Sequence, residues 1–137
     1  AEDYVTYIMY TEGQARAMRR YAPGAMYSLE IRALADLGAY RAAGFREEQI
    51  LAWLGTDEPS PGFVSELDDL GVVSILGTLG GSRSLDREMA RSRDDSPYSA
   101  YAEYGVDIIA TDRPRAALKE ILSDGARADA RRRCGLD

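Results

Sequence analysis

Five short apolar runs, each rich in β-branched or aromatic residues, recur along this chain, and their spacing limits the possible folds more than any other feature. They are Val5-Thr6-Tyr7-Ile8-Met9-Tyr10, Met26 to Ile31, Ile50 to Leu54, Val72 to Leu76 and Val106 to Ala110. Runs of this length and composition read as buried strands. Their starts lie about 21 to 34 residues apart, the length a crossover between parallel neighbours requires. The spacing therefore predicts a parallel sheet.

The segments between the runs carry helix punctuation. Thr11-Glu12-Gly13-Gln14 has the spacing of a capping box, and Ser60-Pro61 and Ser96-Pro97 each put a cap residue before a proline at the first helical position. Gly44, Gly71 and Gly105 each close a helical segment shortly before the next strand, where a left-handed cap is needed. Helical spacing places Val64, Leu67 and Leu70 on one face, and Ala117, Leu118, Ile121 and Leu122 on another. Strand, cap, helix, glycine, strand is a βα repeat, so the class is α/β.

Hydrophobic residues make up 45% of the 137 and charged ones 29%, which permits a packed core and excludes disorder over most of the length. The length suits one ordinary domain or a piece of a larger one. Arginine and lysine total 17, Lys119 being the one lysine, and they are scattered among 23 acids with a formal net charge of -6. No basic track for a phosphate backbone results, and nucleic acid is not an expected partner. No apolar run reaches the roughly 20 residues of a membrane helix. The chain begins without Met and enters a strand pattern almost at once, as expected of a processed chain or a fragment. The compartment, cytoplasmic or periplasmic and secreted, stays open. The single cysteine, Cys134, falls in the Arg-rich stretch after residue 126 and allows neither an internal disulfide nor a thiolate metal site.

The absence of histidine removes serine-histidine triads, imidazole acid–base chemistry and imidazole metal ligands from what these residues can do alone. Carboxylates near strand ends are Glu30, Asp57, Glu58 and Asp112. Two of them meeting could bind a divalent cation. An acid directly after a strand is also the usual cap of the next helix, and Asp112-Arg113-Pro114 fits that alternative. Gly77-Thr78-Leu79-Gly80-Gly81 lacks the lysine of a P-loop and the three spaced glycines of a dinucleotide fingerprint. The stretch from Gly77 to Asp95 has no steady period and reads as a long loop or lid on the side where strands end. Trp53 suits core packing, or a pocket wall if it stands at the rim. Tyr98, Tyr101 and Tyr104, three residues apart, suit the buried face of a helix. On these residues alone, five βα units could also close as a flavodoxin-like open parallel sheet acting as a non-catalytic binding or regulatory domain.

The string Tyr104-Gly105-Val106-Asp107-Ile108-Ile109-Ala110-Thr111-Asp112-Arg113-Pro114 resembles the last strand of glycerophosphodiester phosphodiesterases. Gln49 to Thr56 and Val73 to Gly80 are similar to preceding strands of one branch of that family, and the resemblance runs from Val5 to Leu122. It implies the last five βα units of a TIM barrel of eight, over residues 1–125, followed by a charged tail over 126–137. It also implies metal-assisted hydrolysis of glycerophosphodiesters to an alcohol and glycerol 3-phosphate. The family's reacting groups, a His-Arg pair, an acidic set holding Ca²⁺ or Mg²⁺ and a second histidine, come from earlier units. No catalytic residue and no metal ligand is therefore expected within this chain, and alone it is expected to be inactive. The resemblance places Glu30, Trp53, Thr78 and Asp112 at the pocket rim, facing the glycerol or alcohol side or bracing the loops that do. Where many members carry Trp-Thr-Val-Asn on the seventh strand, this chain has Gly77-Thr78-Leu79-Gly80 and lacks that aromatic wall. An incomplete barrel exposes strand edges and an apolar inner face, so self-association through those edges or rearrangement of the sheet is expected.

Overall fold

The computed structural model describes residues 5–122. The proposed tail over 126–137 and Cys134 lie outside them. Elements alternate along the chain as β1 (Thr6–Ile8), α1 (Glu12–Arg19), β2 (Met26–Glu30), α2 (Leu34–Ala42), β3 (Ile50–Gly55), α3 (Pro61–Asp69), β4 (Val73–Gly77), α4 (Leu85–Ser92), α5 (Pro97–Glu103), β5 (Ile108–Ala110) and α6 (Pro114–Ile121). A 3₁₀ turn at Glu47–Gln49 leads into β3. All five strands are parallel neighbours in the order β1-β2-β3-β4-β5.

That order decides between the two architectures that the strand count leaves open. A flavodoxin-like sheet reverses direction, so that helices cover both faces. Here each right-handed crossover moves the chain the same way, which puts every helix on one face and curls the sheet. The arrangement is a (βα)5 half-barrel, a partial TIM barrel, and the flavodoxin-like alternative is set aside. The sheet keeps its open order, so the rearrangement expected of an incomplete barrel does not occur.

Register sorts the strand residues into two faces, because side chains alternate and parallel partners share a side. Pairing Tyr7 with Tyr27, Tyr27 with Ile50, Ala52 with Ser74 and Leu76 with Ile109 defines the helix-facing side. Tyr27, Leu29, Ile50, Ala52 and Leu76 there are buried, in one cluster with Ala15, Leu37, Tyr40, Val64, Leu67 and Tyr101 from the helices. The opposite, concave side carries Ile8, Ser28, Glu30, Leu51, Trp53, Val73, Ile75 and Ile108. Its apolar members at the edges are exposed, Ile8 at 63% and Ile108 at 42%. Tyr10 and Tyr21 beside β1 and Leu118 and Ile121 on α6 are exposed as well.

Local signals account for most boundaries. The Thr11 hydroxyl accepts from the Gln14 amide at 3.2 Å, and the Gln14 side chain accepts from the Tyr10 amide at 3.0 Å. Proline opens α3 and α5 as well as α6, and Gly44, Gly71 and Gly105 have φ of 87°, 68° and 101°. Asp107 has a separate task. Its carboxylate accepts from the Ser74 amide at 2.8 Å and the Ser74 hydroxyl at 3.2 Å, pinning β5 to β4.

One expectation fails. The stretch from Gly77 to Asp95 is not a long lid, because the 8-residue helix α4 forms within it, with Ser84 as its cap accepting from Arg87 at 3.4 Å. Only Leu85 and Met89 face inward as apolar residues over two turns, too few for a period to emerge from the charged residues around them. Tyr98 and Tyr101 are buried on α5, as the three-residue spacing predicts.

Candidate functional site at the strand ends

A cavity of about 360 Å³ opens on the concave side at the carboxyl ends of the strands, where parallel α/β folds carry their sites. Ile8, Tyr10, Trp53, Ile75 and Leu79 form its apolar wall, and Ser28 and Glu30 supply its polar groups. Glu30 and Trp53 are register partners on β2 and β3, and Trp53 is in turn paired with Ile75 on β4. Three consecutive strands thus aim one residue each at the same place.

Trp53 is half-buried and stands at the rim instead of the core. Its indole crosses Gly77: a Cβ at that position would come within 2.5 Å of Trp53 Cη2. Glycine at the end of β4 therefore admits an aromatic wall from β3. Glu30 is engaged by Arg32 at 2.9 Å, and Arg32 Nη1 donates to the Leu54 carbonyl at 2.6 Å. Both partners of the ion pair are about half exposed, so it steers the carboxylate more than it stabilises the fold.

Thr78 and Asp112 occupy different positions from that pair. Thr78 is fully buried. Its amide donates to the Ala110 carbonyl at 2.8 Å and its hydroxyl to the same oxygen at 3.3 Å, stitching the end of β4 to the end of β5. The Asp112 carboxylate is exposed and accepts from the Gly80 amide at 3.3 Å. It does not cap α6, whose cap position is Arg113 with no side-chain bond. Glu30 and Trp53 line the cavity, whereas Thr78 and Asp112 lie in the loops beside it.

Those loops meet at Asp86, which sequence reasoning missed. Its side chain is 2% exposed. It accepts from the Tyr98 hydroxyl at 2.6 Å and from the Asp112 amide at 2.6 Å, and the Thr111 hydroxyl lies 3.0 and 2.9 Å from its two oxygens. Burial pushes the Asp86 carboxyl up, but hydrogen bonds from Tyr98, Thr78, the Asp112 amide and Thr111 outweigh it and hold the group below its ordinary value. Burial and the bond to Asp86 push the Tyr98 phenol up. Arg113 completes the assembly through a two-pronged pair with Asp95, at 2.5 and 3.3 Å. An acid in the first turn of a helix reads from sequence as favouring the helix dipole, and that reading hides Asp86.

Among the described residues no three acidic side chains come together as a cation site. The divalent cation of the resemblance does not fit the residues described. Histidine is absent from the sequence, and no helix among the described residues is long and apolar enough to cross a membrane.

No family model and no curated protein matches the sequence. Among solved structures, a glycerophosphoryl diester phosphodiesterase from Parabacteroides distasonis ATCC 8503 matches with a TM-score of 0.70 and 25% sequence identity. The match covers 88% of this chain and 42% of that one, so this chain spans about two fifths of the protein it resembles. The resemblance to glycerophosphodiester phosphodiesterases therefore holds in structure as well as in sequence.

Proposed function

We propose that this chain forms the carboxyl-terminal wall of the substrate mouth in a metal-dependent glycerophosphodiester phosphodiesterase, a hydrolase that yields an alcohol and glycerol 3-phosphate. In this reading the cavity takes the glycerol or alcohol side of the diester, against Trp53 and beside Glu30. Thr78 and Asp112 brace the loops around it. The histidines and the carboxylates that hold Ca²⁺ or Mg²⁺ belong to polypeptide outside residues 5–122. The observation that supports this most is the position of the cavity: it lies at the strand ends of a sequentially ordered half-barrel that superposes on a phosphodiesterase.

Trp53 is the one tryptophan of the chain, so its fluorescence reports on the cavity directly. Titration with glycerol 3-phosphate is expected to give a saturable change in emission with a Kd of about 1 mM. In mixtures with a glycerophosphodiester, the chain alone is expected to release no glycerol 3-phosphate. An emission that does not respond would overturn the ligand reading. Hydrolysis by the chain alone would overturn the division of labour.

The same reading assigns a role to the exposed apolar residues at the two open edges, Ile8, Tyr10 and Tyr21 on one side and Ile108, Leu118 and Ile121 on the other. They are the contacts through which copies of the chain associate when nothing else completes the barrel. Sedimentation velocity should show a coefficient that rises with protein concentration, and a constant monomer value would remove the proposal.

A further inference from the structure

Asp86 does not line the cavity, yet among the described residues it is the charged side chain that the fold buries. A buried carboxylate costs several kcal/mol of lost hydration unless its oxygens are fully bonded. Among the described residues no cation is paired with it, since the guanidinium of nearby Arg113 is engaged by Asp95. Its partners come instead from two places: Tyr98 on α5, and Thr111 and Asp112 just past β5. Its own amide donates to the Thr78 carbonyl at 2.9 Å, just past β4. A well-packed apolar residue would hold a core together at lower cost. What the carboxylate adds is a directional bond to α5, to the segment past β5 and, through the Thr78 hydroxyl, to the segment past β4.

Both strand ends lead directly into the cavity mouth. Leu79, adjacent to Thr78, lines the wall, as does Ala110, adjacent to Thr111. The Gly80 amide then reaches across to the Asp112 carboxylate. We infer that Asp86 is a positioning residue for the cavity: it holds the segments Thr78 to Gly80 and Thr111 to Arg113 in one relative arrangement, and so sets where Leu79 and the Asp112 carboxylate stand. Tyr98 shares this task, because its hydroxyl lies 2.6 Å from Asp86 and 3.2 Å from Thr111. Only the consequence for affinity rests on the proposed function; the clasp itself is independent of what the cavity binds.

The test combines residue-resolved amide hydrogen exchange with the Trp53 titration, on this chain and its Asp86→Asn and Tyr98→Phe variants. Asparagine keeps the shape but turns one acceptor into a donor. In Asp86→Asn the Thr78 and Asp112 amides should exchange about tenfold faster, while Leu29 and Ala52 at the centre of the sheet stay unchanged. Tyr98→Phe should move the same two amides by about threefold, and it decides the matter if the asparagine variant does not fold. A uniform rise that includes Leu29 and Ala52, or no change at Thr78 and Asp112, would show that Asp86 serves general stability only and overturn the inference. If glycerol 3-phosphate binds the parent chain, its Kd should rise about tenfold in Asp86→Asn, and an unchanged Kd overturns the positioning of the cavity. If it does not bind the parent chain, the ligand reading has failed and exchange alone decides the clasp.

Discussion

Replacing Tyr27 by alanine is expected to cost about 4 kcal/mol of folding free energy, read as a fall in the urea midpoint with the slope little changed. Tyr27 is fully buried at the centre of the helix-facing side. Its ring stacks on Tyr7 with centroids 5.9 Å apart and meets the edge of Phe45 at 5.4 Å, and its hydroxyl donates to the Ala22 carbonyl at 2.5 Å. Truncation opens a cavity between β1, β2 and the turn before β3, and it removes the donor from a carbonyl in the loop after α1. Net stabilities of single domains lie at about 5 to 15 kcal/mol, so this one change removes a large share. A midpoint shifted by less than about 1 kcal/mol would mean that the aromatic cluster is not the centre of the core.

Replacing Asp86 by alanine is expected to cost about 3 kcal/mol at neutral pH, because the Tyr98 and Thr111 hydroxyls and the Asp112 amide lose a buried acceptor. The pH dependence is more diagnostic than the magnitude. Hydrogen bonds hold the folded carboxyl below its ordinary value, so the folded state binds this proton less readily than the unfolded chain does. The stabilisation is therefore present in full above the unfolded aspartate value of about 4, and it is lost as pH falls through the lower folded value. The groups that face Asp86 are Thr78 past β4, Tyr98 on α5, and Thr111, Asp112 and Arg113 past β5, with Asp95 paired to Arg113. Melting temperatures of the parent chain and Asp86→Ala should differ most near pH 7 and converge below about pH 4. A gap that stays constant with pH would mean that the aspartate is not ionised in the fold.

Legibility in the sequence followed the range of the interactions. The five runs coincide with the five strands to within about two residues, and this precision is typical of elements with strong local patterns. Four of them are flanked by proline, glycine or a capping residue. α4 was invisible because two inward apolar residues among charged neighbours carry no period. Its companion Asp86 was invisible because the carboxylate's partners Tyr98, Thr111 and Asp112 lie 12 to 26 residues further along the chain. Thr78 and Asp112 stood out as strand-end residues, but position along the chain could not distinguish a side chain aimed into a cavity from one that stitches two strand ends together. The indole of Trp53 over Gly77 was equally hidden, since it depends on the register of β3 against β4.

By itself, then, the sequence determined the number of strands, the helices that follow four of them and the parallel direction of every connection. These rest on alternation, caps and turn glycines, each decided within a turn or two of chain. Local patterns left the strand order open between two architectures; the family resemblance implied the sequential order that the structure shows, with one face of the sheet concave and uncovered and Trp53 on that face. Tertiary structure alone decided that a buried carboxylate joins segments up to 26 residues away. Strand order and buried charge depend on contacts between distant parts of the chain, and no local pattern of residues encodes the cost of leaving such a contact unmade.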